Sequence, residues 1–134
     1  MFLVDASVWV SLAERGSPHR EAAMRLIRKQ GPHLNALDLT LYEVANAIGV
    51  KQGDADEAIR VNRLLLRCCR DRVLRADVEL VDSVLQIAAE HRLTAYDAAY
   101  VAIARRHGLT LISADIRDLV SKQLAVTPDA ADYP

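Results

Sequence analysis

Apolar residues follow two rhythms along this chain: short unbroken runs, and stripes spaced at three and four residues. The runs at 1–4, 34–37, 73–74 and 109–113 read as strands, and the first and last have the continuous apolar character of strands covered on both faces. A last edge strand is expected at 125–127. Between the runs, Val8, Trp9, Leu12 and Ala13 recur at helical spacing, with Trp9 as core. So do Ala22, Ala23, Leu26 and Ile27, then Ile59, Leu64 and Leu65, then Val81, Val84, Leu85 and Ala88. The stretch 94–108 is different, being apolar nearly all round from Ala98 to Ala104, which predicts a helix buried against a sheet. A short helix is expected at 116–121.

Punctuation supports these elements. Ser17 and Pro18 suit the N-cap and first position of the second helix, and Gly31-Pro32 breaks it. Thr40, Asp54 and Thr94 stand where N-caps are wanted. Arg105, Arg106 and His107 suit the negative end of the long apolar helix, and Gly108 stops it. The tail DAADYP at 129–134 reads as a loose end. Strands alternating with helices predict a single α/β domain over 1–134, a three-layer α/β/α sandwich with a short central parallel sheet.

Composition changes little in this picture. A chain of 134 residues, 51% hydrophobic and 26% charged, has enough apolar material for one proper core. A net charge of −1 does not announce a nucleic-acid partner. The apolar N-terminus is interrupted by Asp5 and lacks a basic leader, and no apolar run would span a bilayer. A cytoplasmic location is the expectation. Cys68 and Cys69 are adjacent, without the spacing of a disulfide framework or zinc site, and read as reduced structural thiols.

The candidate chemistry lies in four carboxylates. Asp5 and Asp115 end apolar runs; Glu43 and Asp97 open helices. An open α/β sheet gathers such positions in one crevice at the C-terminal ends of its strands. Capping competes with chemistry at each. Thr40-Leu41-Tyr42-Glu43 spells a complete capping box, Thr94-Ala95-Tyr96-Asp97 a shorter variant, and Asp54 with Glu57 repeats the arrangement without a strand end nearby. Asp5 and Asp115 also suit N-caps of the segments after them. Taken together, four converging acids repel one another unless protons or cations neutralise them, and hard oxygen ligands suit Mg²⁺ or Mn²⁺. His19, His33, His91 and His107 fall at helix ends or in loops and read as surface residues. Ser7 lacks a histidine partner and suits a hydrogen bond that supports a carboxylate.

Asp5-Ala6-Ser7 after the first strand, Glu43 with Asn46, Tyr96-Asp97-Ala98 and Ser113-Ala114-Asp115 together resemble the PIN-domain pattern. Length and order are similar to the VapC toxins of bacterial and archaeal toxin–antitoxin pairs, over essentially the whole chain. The resemblance implies a PIN-like fold and a metal-dependent endoribonuclease hydrolysing RNA phosphodiester bonds with Mg²⁺ or Mn²⁺. Asp5, Glu43, Asp97 and Asp115 would be its catalytic, metal-binding acids, with Asp5 and Asp97 the direct ligands. Ser7, Asn46, Thr94, Ser113 and Asp118 would support them. It further implies an RNA substrate, a homodimer, a small VapB-like antitoxin and no membrane.

Other classes fit less well. A receiver-type domain wants paired acids after the first strand and a lysine after the last, and a haloacid-dehalogenase-type phosphatase wants an Asp where Ser7 stands. The non-enzymatic alternative is an inactive PIN-like scaffold that binds RNA or protein, but all four acids remain. Arg60, Arg63, Arg67 and Arg70 form one basic stripe that reads as a solvated helix face, partly paired through Asp56 and Arg60.

Overall fold

The computed structural model describes residues 1–131. Its sheet has four parallel strands in the order β3-β2-β1-β4: β1 (Phe2–Val4), β2 (Leu34–Leu37), β3 (Val73–Leu74) and β4 (Thr110–Ile112). Phe2, Leu3 and Val4 lie opposite Thr110, Leu111 and Ile112. The chain winds outward from β1 to β2 and β3, then returns past β1 to form β4. That reversal leaves a crevice beyond the C-terminal ends of β1 and β4, where open sheets of this kind take their ligands.

Both sheet faces are covered. On one side α1 (Ala6–Ser11), α2 (Arg20–Gln30), α3 (Asp38–Val44) and α4 (Ala55–Cys69) bury Trp9, Leu26, Val44 and Leu65 against Val4, Leu34, Ala36 and Ile112. On the other, α5 (Val81–His91) and α6 (Ala95–His107) pack on Leu3, Leu37 and Leu111. Adjacent strand residues such as Leu3 and Val4 thus enter opposite layers, as the strand period of two requires. Every residue of α6 from Ala98 to Ala104 is buried, as the all-round apolar pattern predicts. The helix ends in a left-handed turn at Gly108, φ 63°, whose N–H caps the Ala104 and Arg105 carbonyls.

Several local expectations are corrected. Helix α2 starts at Arg20 rather than Pro18, because the Ser17 hydroxyl accepts the His19 N–H at 3.2 Å in a preceding turn and caps no helix. Thr40 is not the N-cap of α3. Its N-cap is Leu37, three residues earlier, and Thr40 lies inside the first turn with its hydroxyl accepting the Leu37 N–H at 3.3 Å. Beyond Val44 the helix widens into a π-helical stretch, Ala45–Lys51, which packs on α4. In α4 the buried stripe is Ala58, Val61, Leu65 and Cys69, while Ile59 is exposed; Arg60 pairs with Glu57, not Asp56.

Helix α5 follows a 3₁₀ turn, Val78–Leu80, capped by the Asp77 carboxylate. The turn draws Leu80 inward and phases the buried stripe as Leu80, Val84 and Ile87, leaving Val81 and Leu85 exposed and Ala88 at the margin. The 125–127 edge strand reduces to a parallel bridge between Val126 and Ile112. The tail is anchored as far as described: Asp129 pairs with Arg25 at 2.9 Å and Ala131 is buried, and residues 132–134 lie outside the described residues. The adjacent cysteines are free, and burial pushes the Cys69 thiol up to about 12, as suits a structural group.

The phase of α5 is open to a direct test. Ile87→Ala should cost about 2–5 kcal/mol of unfolding free energy in urea, the range for emptying a buried aliphatic site. Leu85→Ala, two residues away on the exposed flank, should stay within about 0.5 kcal/mol of the parent. Equal losses at the two positions would reject this packing.

Candidate active site

The site is built outward from Asp5, the residue after β1. Its backbone N–H donates to the Ile112 carbonyl at 3.1 Å, extending the β1–β4 ladder by one bond. Its side chain caps α1, accepting the Ser7 N–H at Oδ1 (3.1 Å), so the capping role foreseen for it is real. Two hydroxyls complete its shell: Ser7 Oγ donates to Oδ1 and Ser113 Oγ to Oδ2, both at 2.5 Å. Each serine in turn accepts a backbone N–H from the loop after β4, Ala114 to Ser7 at 2.8 Å and Asp115 to Ser113 at 2.9 Å. Two serines thereby tie the ends of β1 and β4 together through one carboxylate.

Asp5 is only 4% exposed. Burial pushes its carboxyl up to about 7, against the pull of the Ser113 and Ser7 hydroxyls, and the charges of Asp97 and Glu43 push the same way. A carboxylate in this position stays ionised most readily beside a cation.

Asp97 stands at the third position of α6, where its N–H donates to Thr94 Oγ1 at 3.1 Å, the predicted cap. Its carboxyl is raised by burial first and then by the charges of Asp115 and Asp118, with Thr94 and Lys122 opposing. Lys122 itself is tied to the end of α5, its Nζ donating to the His91 and Arg92 carbonyls at 2.8 and 3.3 Å. Asp115 caps the π-helical turn Ile116–Val120, its Oδ1 accepting the Asp118 N–H at 2.9 Å. Asp97, Asp115 and Asp118 each offer an oxygen within 4.8 Å of the others. The π-turn Ile116–Val120 thus carries Asp118 alongside Asp97 and Asp115.

Glu43 occupies the sixth position of α3, past the reach of any cap, so the capping-box alternative fails there. Its Oε1 accepts the Tyr100 hydroxyl at 2.7 Å, and Tyr100 Oη also meets Thr40 Oγ1 at 2.8 Å. Burial raises the Glu43 carboxyl, the Tyr100 bond lowers it and the Asp97 charge raises it again. Asn46 falls in the π-helical stretch, is exposed, and bonds to none of the acids. Of the nine residues singled out from sequence, the other eight gather at this end of the sheet. Tyr100 and Thr40 were missed. Tyr100 is three residues after Asp97, and its signal was a polar tip on a helix otherwise apolar all round.

The donor set is all hard oxygen, and no histidine joins the acid group among the described residues. Converging carboxylates, with the proton affinity of Asp5, Glu43 and Asp97 raised, fit a hard divalent cation. Beside them, Ser7, Ser11, Glu14, Ser17, His19 and Ala114 line a crevice of about 580 Å³.

The chain has matches among known proteins over most of its length. The PIN domain model matches residues 2–122. The chain is 36% identical over 126 residues to Exonuclease VapC9 of Pyrobaculum aerophilum, covering 90% of this chain and 84% of that protein. It is 35% identical over 133 residues to Ribonuclease VapC3 of the same organism, covering 94% and 98%. In three dimensions it is similar to a chain of a toxin-antitoxin complex from Klebsiella pneumoniae, with TM-score 0.72 and 20% identity over 96% of this chain and 98% of that one, a likeness of fold. The chain belongs to the PIN-domain family.

Proposed function

We propose that this protein is a divalent-metal-dependent endoribonuclease and the toxin of a toxin–antitoxin pair. The observation that carries the reading is the approach of Asp97, Asp115 and Asp118 to within 4.8 Å at the sheet end where Asp5 is buried. Like charges gathered this closely, away from full solvation, call for a cation. Asp5 and Asp97 are the direct ligands in this reading, with Asp115, Asp118 and Glu43 completing the acid group. When bound, Mg²⁺ or Mn²⁺ supplies an activated water and stabilises charge growing on the phosphate. The protein's own part is to hold Asp5 in one orientation through Ser7 and Ser113, and to direct Glu43 and Asp115 toward the attacking water. The crevice beside Ser7 leaves room for the RNA chain to continue past the scissile phosphate.

The partner follows from the toxin reading. Between α2 and α4 runs a groove lined by apolar Leu12, Met24, Val61 and Leu64 and by Arg20, Arg67, Arg60 and Glu57, the last two paired with each other. It suits an apolar antitoxin segment flanked by acids, and gives part of the arginine stripe a use beyond solvation. A homodimer belongs to the same reading. No helix among the described residues is long and apolar enough to cross a membrane.

Cleavage is tested on a circular RNA, which an exonuclease cannot enter. The protein should linearise it with Mg²⁺ or Mn²⁺ and not with EDTA; an intact circle in all conditions would sink the endonuclease reading. Glu43→Gln, which keeps the shape of the side chain, should slow cleavage about ten- to a hundredfold, the range for groups that orient or support metal ligands.

Stability should report the same site without substrate. A carboxyl whose folded pKa lies above its unfolded value stabilises the fold while protonated, and that contribution is lost as pH rises through the folded pKa. For Asp5 the window runs from 3.8 to about 7, and Glu43 and Asp97 shift in the same direction. In EDTA the melting temperature should therefore fall as pH rises from about 5.5 to 8. Asp5→Asn should flatten that slope. Mn²⁺ should stabilise the parent most at the alkaline end, where it competes with the fewest protons. A slope unchanged in Asp5→Asn would remove Asp5 as its source.

A further inference from the structure

We infer that Tyr100 is a positioning residue for Glu43, the last link of a directed hydrogen-bond chain that starts at the backbone of β2; the inference rests on the endoribonuclease reading above. The chain has four members: Leu37 N–H, Thr40 Oγ1, Tyr100 Oη and Glu43 Oε1, with separations of 3.3, 2.8 and 2.7 Å. Its direction follows from its ends. A backbone N–H can only donate, and an ionised carboxylate can only accept. Tyr100 has one proton and gives it to Glu43, so the Thr40–Tyr100 contact must use the Thr40 proton. Thr40 Oγ1 in turn accepts the Leu37 N–H. Each hydroxyl donates once and accepts once, and the arrangement has a single sense.

The setting makes this chain stiff. Tyr100 is 1% exposed and Thr40 fully buried, so water does not compete for either hydroxyl. The Tyr100 ring is buried within the core cluster that α6 forms against the sheet, where close packing restrains it. Removing the phenol oxygen therefore does two things. It frees one oxygen of Glu43, and it strands the Thr40 proton where no water replaces the lost acceptor. Glu43 Oε2 has no protein partner among the described residues, so Tyr100 alone fixes the carboxylate by hydrogen bonding while leaving one oxygen for the site. Asp97 lies one helical turn before Tyr100 on the same helix. One rigid element thus carries an acid of the cluster and the group that aims a second acid, supplied by α3. The alternative is that Tyr100 merely fills space, as its neighbours do.

A double-mutant cycle separates these. The parent, Tyr100→Phe, Glu43→Gln and the double variant are compared as full-length chains, by RNA cleavage at saturating Mn²⁺ and by calorimetric Mn²⁺ binding without RNA. Tyr100→Phe should lower kcat and Mn²⁺ affinity each about tenfold, as for other groups that orient metal ligands, with KM for RNA within about twofold of the parent. In the Glu43→Gln background it should change nothing further, because a group that acts through Glu43 has nothing left to aim. Parent-like behaviour of Tyr100→Phe, or losses that multiply in the double variant, would overturn the inference. Thr40→Val and Thr40→Ser carry the test if Tyr100→Phe does not fold: Val should reproduce the loss and Ser restore it, and a parent-like Val would overturn the chain. A parent without metal-stimulated cleavage would refute the endoribonuclease reading instead, while Mn²⁺ calorimetry on the same proteins would still report the coupling of Tyr100 to Glu43.

Discussion

A carboxylate buried at the C-terminal end of β1, an inner strand of the sheet, is the constraint on which this molecule turns. Leaving Asp5 out of water is costly unless its oxygens are occupied. The protein occupies them with two serines from opposite ends of the chain, Ser7 and Ser113. These hydroxyls also receive the amides of Ala114 and Asp115, so the grip on Asp5 and the loop after β4 share the same two serines. Fold and site therefore share their bonds. The same grip does not neutralise the charge, since burial still dominates the proton affinity of Asp5. Its carboxyl stays raised to about 7, so that a proton or a nearby cation stabilises it there.

The second requirement is a helix that can approach the sheet closely. Ala98, Ala99, Ala102 and Ala104 provide that in α6, and Gly108 then reverses the chain within a single turn, Leu109 donating to the Ala104 carbonyl at 2.8 Å. Asp97 at the helix start and Asp115 after β4 consequently end at the same edge of the sheet. Their separation along the chain is set by the helix and strand between them, so the apolar pattern of α6 is indirectly a statement about where two acids meet. Packing here determines chemistry.

Much of this was legible in sequence, for identifiable reasons. Strands covered on both faces announce themselves as unbroken apolar runs, and α6 as an all-round apolar helix; Thr94 and Gly108 bound it where capping chemistry predicts. What failed depended on short-range competition. The α5 stripe was misphased because the 3₁₀ turn at Val78–Leu80 resets the rotation before the helix begins. Helix α3 begins three residues earlier than its Thr-x-x-Glu pattern suggests because Leu37 leaves β2 in an extended conformation and enters the helix directly. Asn46, which the family resemblance grouped with Glu43, falls in the π-helical stretch, where it is exposed. Tyr100 was hidden because its ring satisfies the same apolar pattern as its neighbours; only its hydroxyl differs.

The contest between capping and chemistry resolves differently at each acid, and the reason is geometric. A capping bond uses one oxygen and leaves the other undefined. At Asp54 the cap to Glu57 lies at an exposed helix start with no other acid of the site beside it, and capping is the whole role. At Asp5 and Asp115 the cap serves to point a carboxylate: Asp5 has its second oxygen held by Ser113, and the cap of Asp115 is the amide of Asp118, which brings that acid into the same group. At Asp97 the relation inverts, for the residue donates its N–H to the cap and so keeps both oxygens clear. Glu43 caps nothing and is aimed by a side chain from another helix. A local motif cannot separate these cases, because it specifies the first bond and the site depends on the second.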